Sequence, residues 1–202
     1  MAEESIYIHS GNIKLEGLLE KLPGESAVVV THPHPLYGGE MHNNVVEALV
    51  QTYRDKGYST LRFNFRGAGR SEGNHDEGKG EQEDIKSALN YLSDLGKTDI
   101  DLAGYSFGAW VIALGLGAYD QANRVIFVSP PVNFIDFSFL TYNPKIRLII
   151  VGSHDDIAGP GVIEGMVPKW NPGADFKIIQ GADHFYWGHT NQLKAIIQEL
   201  LG

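Results

Sequence analysis

The sequence contains no cysteine. That excludes a disulfide framework, a thiolate metal centre and a cysteine nucleophile. It also has no cluster of Lys or Arg, and its 25 acidic side chains outnumber its 16 basic ones for a formal charge of −9. Nucleic acid and an anionic membrane surface are therefore excluded as expected partners. No apolar run approaches the roughly 20 residues that a membrane span needs, and "MAEESIYIHSG" places acidic residues where a secretion signal carries basic ones. A cytoplasmic location is expected. There is no low-complexity tract, internal repeat or Pro/Gly-rich linker, and a chain of 202 residues that is 43% hydrophobic can bury its own core. One domain spanning 1–202 is expected.

Present instead is a regular alternation. "SIYIHS" and "KLEGLLE" flank Gly11-Asn12, a pair suited to the positive φ of a tight turn, which predicts an N-terminal antiparallel hairpin. "AVVVTH" is a continuous β-branched run of the kind buried on both faces of a sheet. Apolar residues at Val45, Val46, Leu49, Val50 and Tyr53 then mark a helix from Asn44 to Lys56 that Gly57 stops. "STLRFNF", "DIDLAGYS", "RVIFVS", "IRLIIVGS" and "DFKIIQG" read as further strands. Ile85, Ala88, Leu89, Leu92 and Leu95 mark a helix ended by Gly96, another begins at Phe107, and Leu193, Ile197 and Leu200 lie on a closing helix. Strands alternating with helices predict an α/β fold, a mostly parallel sheet with helices on both faces, whose ligands bind at the carboxyl ends of the strands.

Gly104-Tyr105-Ser106-Phe107-Gly108 falls where such a strand turns into a helix. In G-x-S-x-G the serine sits on a strained turn that presents its hydroxyl above the sheet, and the glycines leave room where a Cβ would meet neighbouring backbone. A serine hydroxyl needs a histidine to take its proton and a carboxylate to orient that histidine. The chain offers both after later strands, in "GSHDD" and "GADHF". Ser106, an aspartate and His184 then follow in the order used by hydrolases with this elbow. The backbone N–H of Phe107 is one expected donor to an oxyanion. The second belongs to the loop after "AVVVT", where Pro33 and Pro35 have no N–H to offer, which leaves His34 or Leu36.

These motifs, with "VVVTHPHPLYGGEMHNNVV" and "LRFNFRGAGRSEG", resemble the α/β-hydrolases over nearly the whole chain. The resemblance is narrowest to a branch of small bacterial and archaeal esterases, more distant to dienelactone hydrolases, whose nucleophile is a cysteine. It implies an α/β-hydrolase fold without a cap domain and a serine carboxylesterase acting on small short-acyl esters, with no cofactor and no metal. The G-x-x-D pattern of the family selects Asp155 as the acid, with Asp156 as the alternative, and its H-G-x placement favours His34 as the second donor. The same triad would serve a peptidase or thioesterase, and a non-catalytic ligand sensor is the alternative from another class. Asp183 is expected to brace the loop of His184, His189 to start the last helix, His154 to be solvated and Arg66 to be structural. A zinc site on His32, His34 and His42 is the minor reading of "HPHP". "GNHDEGKG" is read as a glycine-rich loop without the Ser or Thr of a phosphate loop. Phe134, Phe137, Phe139, Leu140 and Tyr142 are candidates to wall an acyl pocket.

Overall fold

The structure, a computed structural model, describes residues 3–202. Strands β1 (Glu4–Ser10) and β2 (Ile13–Glu20) form the expected hairpin about Gly11, whose φ is 58°. Strands β3 (Ser26–Thr31), β4 (Ser59–Phe63), β5 (Asp99–Tyr105), β6 (Ala122–Val128), β7 (Ile146–Gly152) and β8 (Asp175–Ile179) complete an eight-stranded sheet. Its order is β1-β2-β4-β3-β5-β6-β7-β8, antiparallel as far as the β2–β4 pair and parallel beyond it.

Two cores follow from the twofold alternation of strand side chains. Val29, Leu102, Phe127 and Ile149 point to one face, where helices α2 (Lys79–Asp94), α3 (Phe107–Gly115) and α4 (Pro160–Trp170) cover them with Leu89, Ile112 and Trp170. Val28, Val30, Ala103, Ile126 and Ile150 point to the other, under α1 (Asn44–Asp55) and α5 (Thr190–Leu201), which supply Leu49, Tyr53, Leu193 and Ile197. Burial on both sides explains why these strands read as unbroken apolar runs. None of the described helices is long and apolar enough to cross a membrane.

Two local expectations need correction. Helix α4 has no counterpart in the sequence reading, because Gly161, Gly165 and Pro168 interrupt its pattern. Packing of Ile163, Val167 and Trp170 into the core stabilises it nonetheless. The glycine-rich loop from Gly73 is shorter than expected, since Lys79 and Gly80 already belong to α2. Glycine at 80 has a packing reason: a Cβ there would lie 1.9 Å from Arg66 Nη1. That space lets Arg66 reach the buried Asp84 at 2.7 Å, the structural place expected for it.

Candidate active site

At the carboxyl end of β5 the chain turns sharply into α3. The turn residue is Ser106, with φ 54° and ψ −117°, a conformation that L side chains rarely adopt. Its flanking glycines are required by close approach. A Cβ at Gly104 would lie 2.7 Å from Ala109 N, and one at Gly108 would lie 2.4 Å from Thr31 Oγ1 and 2.8 Å from His32 O. Helix α3 therefore runs too close to β5 at Gly104, and to the end of β3 at Gly108, for any side chain at either position.

Ser106 Oγ lies 2.9 Å from His184 Nε2. On the far side of the imidazole, Nδ1 is 2.9 and 3.0 Å from the two oxygens of Asp155. A carboxylate only accepts, so Nδ1 carries the proton and Nε2 is free to accept from the serine hydroxyl. Asp155 follows β7 and His184 follows β8, so three loops at the same sheet edge bring the three side chains together. Burial by itself would raise the Asp155 carboxyl; hydrogen bonds from His184, Ser129 and the Ala158 N–H hold it below its ordinary value instead. Asp156, the alternative acid, is exposed and makes no contact with His184.

Residues 28–170 match the alpha/beta hydrolase family. The chain belongs to that family. It is 36% identical over 208 residues to an uncharacterised protein of Rickettsia prowazekii, covering 97% of this chain and 87% of that one. Among solved structures it resembles an alpha-beta serine hydrolase homologue from Coxiella burnetii, with a TM-score of 0.91 and 32% identity over 100% of this chain and 99% of that one. A serine hydrolase without a lid from Xanthomonas campestris matches with a TM-score of 0.90 and 27% identity, covering 98% and 93% of the two chains. This hydrolase likewise carries no cap between its strands: the segment from 129 to 145 that joins β6 to β7 folds directly onto the sheet.

Behind Ser106, His184 and Asp155 lies a layer the sequence did not announce. Ser129 Oγ donates to Asp155 Oδ2 at 2.6 Å, so the 2.7 Å contact between Ser129 Oγ and Tyr186 Oη has the tyrosine as donor. Tyr105 Oη donates to the carbonyl of His184 at 2.7 Å. Of the described residues, four non-glycines have positive φ, and three of them, Ser106, Ser129 and Tyr186, lie in this one network. Strain is concentrated where side chains must converge. Asp183 accepts from the N–H groups of Phe185 and Tyr186, the bracing role expected of it, and His189 sits at the start of α5 bonded to the Trp187 carbonyl. His154 is exposed.

The loop opposite, residues 32–39, is built around two histidines. His34 Nδ1 accepts from the Leu36 N–H at 3.3 Å, whereas the N–H groups of His34 and Phe107 have no acceptor among the described residues. A Cβ at Gly39 would lie 2.1 Å from Pro33 O, so only glycine closes this loop. Burial, and then the neighbouring His75, lower the pKa of His34 and favour its neutral form. Behind His75, whose Nδ1 is 3.1 Å from it, lies the fully buried Glu81, another pair without a signature in the sequence.

His32 is fully buried, donates from Nδ1 to Pro33 O at 2.6 Å and accepts the Phe65 N–H on Nε2 at 2.9 Å. Both ring nitrogens are occupied, leaving none for a metal, and no three His, Asp or Glu side chains suited to one meet among the described residues. Burial lowers its pKa from 6.5 to about 4. The unfolded chain therefore takes up this proton first as the pH falls, so His32 destabilises the fold progressively between about pH 6.5 and 4. The full effect is about 3 kcal/mol, at about 1.4 kcal/mol for each tenfold change in proton affinity. Urea midpoints are expected to fall across that window, and the His32 carbon resonances of labelled protein should not titrate above pH 5. A resonance titrating near 6.5 would refute the assignment.

These loops enclose an open cavity of about 730 Å³ with Ser106 and His184 in its wall. Of the five candidates between β6 and β7, Phe134 alone lines it, beside Pro131 and Ile135 of the same stretch; Phe137 and Leu140 are buried in the core, Phe139 stacks on Phe137, and Tyr142 is exposed elsewhere. Those four side chains are corrected from pocket wall to packing and surface. The reason is the Phe137 contact with Trp170, on the α4 helix that the sequence pattern hides.

Proposed function

We propose that the protein is a serine carboxylesterase, one domain over 1–202, acting on small soluble esters of short acyl chain. The observation that carries this reading is the 2.9 Å contact between Ser106 Oγ and His184 Nε2 beside an open apolar cavity. Ser106 is the nucleophile: its oxygen bonds to the ester carbonyl carbon while its proton passes to His184 Nε2. Asp155 keeps Nδ1 protonated and stabilises the imidazolium that forms. Negative charge moves to the carbonyl oxygen, which the N–H groups of Phe107 and His34 receive. Leu36 is less suited, because its N–H is already engaged by His34 Nδ1. The C–O bond then breaks, His184 returns the proton to the leaving alcohol, and a water repeats the sequence on the acyl-enzyme to release the acid and restore Ser106.

The test is hydrolysis of p-nitrophenyl esters from acetate to palmitate. With no cap to cover a long chain, turnover is expected to be highest for acetate and butyrate and to fall steeply beyond about eight carbons. Equal or faster turnover of palmitate overturns the short-acyl reading. Folded protein that hydrolyses none of them, yet cleaves thioesters or peptides, moves the same machinery to another substrate class.

A further inference from the structure

We propose that the cavity selects esters that carry an aryl ring, and that Phe134 and Phe185 are its specificity-determining residues. This rests on the esterase reading of Ser106.

Three aromatic side chains around the cavity are largely uncovered: Tyr37 is 88%, Phe134 74% and Phe185 52% exposed. Phe107 adds a fourth ring, packed on His34 at 4.6 Å between centroids. Large apolar side chains gathered in this way around a concavity mark a ligand site. No Asp, Glu, Lys or Arg lines it among the described residues; beside the rings the apolar wall is Ile135, Ile157 and proline, so the rings supply its only directional apolar contacts.

Each ring is carried by a separate, anchored loop. Tyr37 is in a 3-10 turn (Pro35–Tyr37) closed by Gly38 in the left-handed region. Phe134 follows Pro131 in a turn held by the Phe134 N–H to Pro131 O at 3.0 Å and by Asn133 Nδ2 to Asp156 O at 2.9 Å. Phe185 directly follows His184, and its carbonyl accepts from Asn44 Nδ2 of α1 at 2.9 Å. The backbone that carries each ring is thus held before any ligand arrives, which removes loop ordering from the cost of binding. A planar ring entering among them gains edge-to-face or offset contacts worth about two- to tenfold each beyond the burial of its area.

A matched pair of esters isolates that gain: methyl 3-phenylpropanoate and methyl 3-cyclohexylpropanoate. In both, the ring is two methylenes from the carbonyl, so their intrinsic reactivity is alike. The cyclohexyl ring exposes more apolar surface, so area burial alone favours it. Expected is a kcat/KM at least about tenfold higher for the phenyl ester, falling to one or below in a Phe134→Leu/Phe185→Leu variant that keeps apolar bulk without rings. Circular dichroism and the melting temperature check that variant's fold. A wild-type ratio of one or less, or a ratio unchanged in the folded double variant, overturns the proposal. The Kd ratio of the same two esters for Ser106→Ala, read by NMR titration, makes the test independent of turnover. If wild type hydrolyses neither these esters nor p-nitrophenyl acetate, the esterase reading fails; if it hydrolyses p-nitrophenyl acetate alone, that reading stands; in both cases the Kd ratio decides whether the cavity selects aryl rings.

Discussion

Ser106→Ala is expected to lower kcat for p-nitrophenyl acetate by about three to six orders of magnitude, the range seen when a triad nucleophile is removed. The substitution deletes one oxygen, 2.9 Å from His184 Nε2, and leaves the imidazole bonded to Asp155. Alanine meets the same backbone strain as serine at φ 54°, and the residue is 7% exposed at the cavity wall, so no unpartnered donor is sealed inside. The melting temperature should therefore move by less than about 2 °C, a change of less than about 1 kcal/mol. A fluorophosphonate probe should label wild type and not the variant. Retained turnover in Ser106→Ala would remove the nucleophile from Ser106.

Asp155→Asn is expected to cost roughly 10⁴-fold in kcat, against less than about twofold for Asp156→Asn. An amide at position 155 can donate to Nδ1, which moves the imidazole proton to Nε2 and points a hydrogen at Ser106 Oγ where a lone pair is needed. The carboxylate also accepts from Ser129 Oγ and from the N–H groups of Ile157 and Ala158, at 2.6 to 3.0 Å. Disturbing that set is expected to lower stability as well, by about 1–3 kcal/mol. Ser129→Ala removes a single donor and leaves the Tyr186 hydroxyl without its acceptor, so a loss of about tenfold in kcat at unchanged KM is expected. Rate constants and urea midpoints measured together on the three variants separate the effects. Comparable losses in Asp155→Asn and Asp156→Asn would remove Asp155 from its role.

Much of the fold was legible because local rules coincide with tertiary need. A parallel sheet covered on both faces demands β-branched runs such as "AVVVT" and "RVIFV", and hydrophobic periodicity in α1, α2 and α5 records which side of each helix meets it. Helix α4 is the exception. Its two glycines and internal proline contradict helix propensity, and packing of Ile163, Val167 and Trp170 into the core stabilises it.

The same division holds at the site. By itself the sequence determined the family resemblance, the sheet with its hairpin, the elbow at Ser106 and the candidacy of His184, because a backbone packed so closely that a Cβ would lie within 3 Å of its neighbours leaves glycines at 104 and 108 as a local record. The family resemblance favoured Asp155 over Asp156 and His34 over Leu36; tertiary structure turns Asp155 toward the imidazole and engages the Leu36 N–H while the His34 N–H has no acceptor among the described residues, and it alone placed Ser129 and Tyr186 behind the acid. Those choices depend on which way a loop side chain turns and on partners up to 57 residues away along the chain. Such contacts carry no spacing or periodicity for the sequence to show, and they exist only once the sheet has brought its strand ends together.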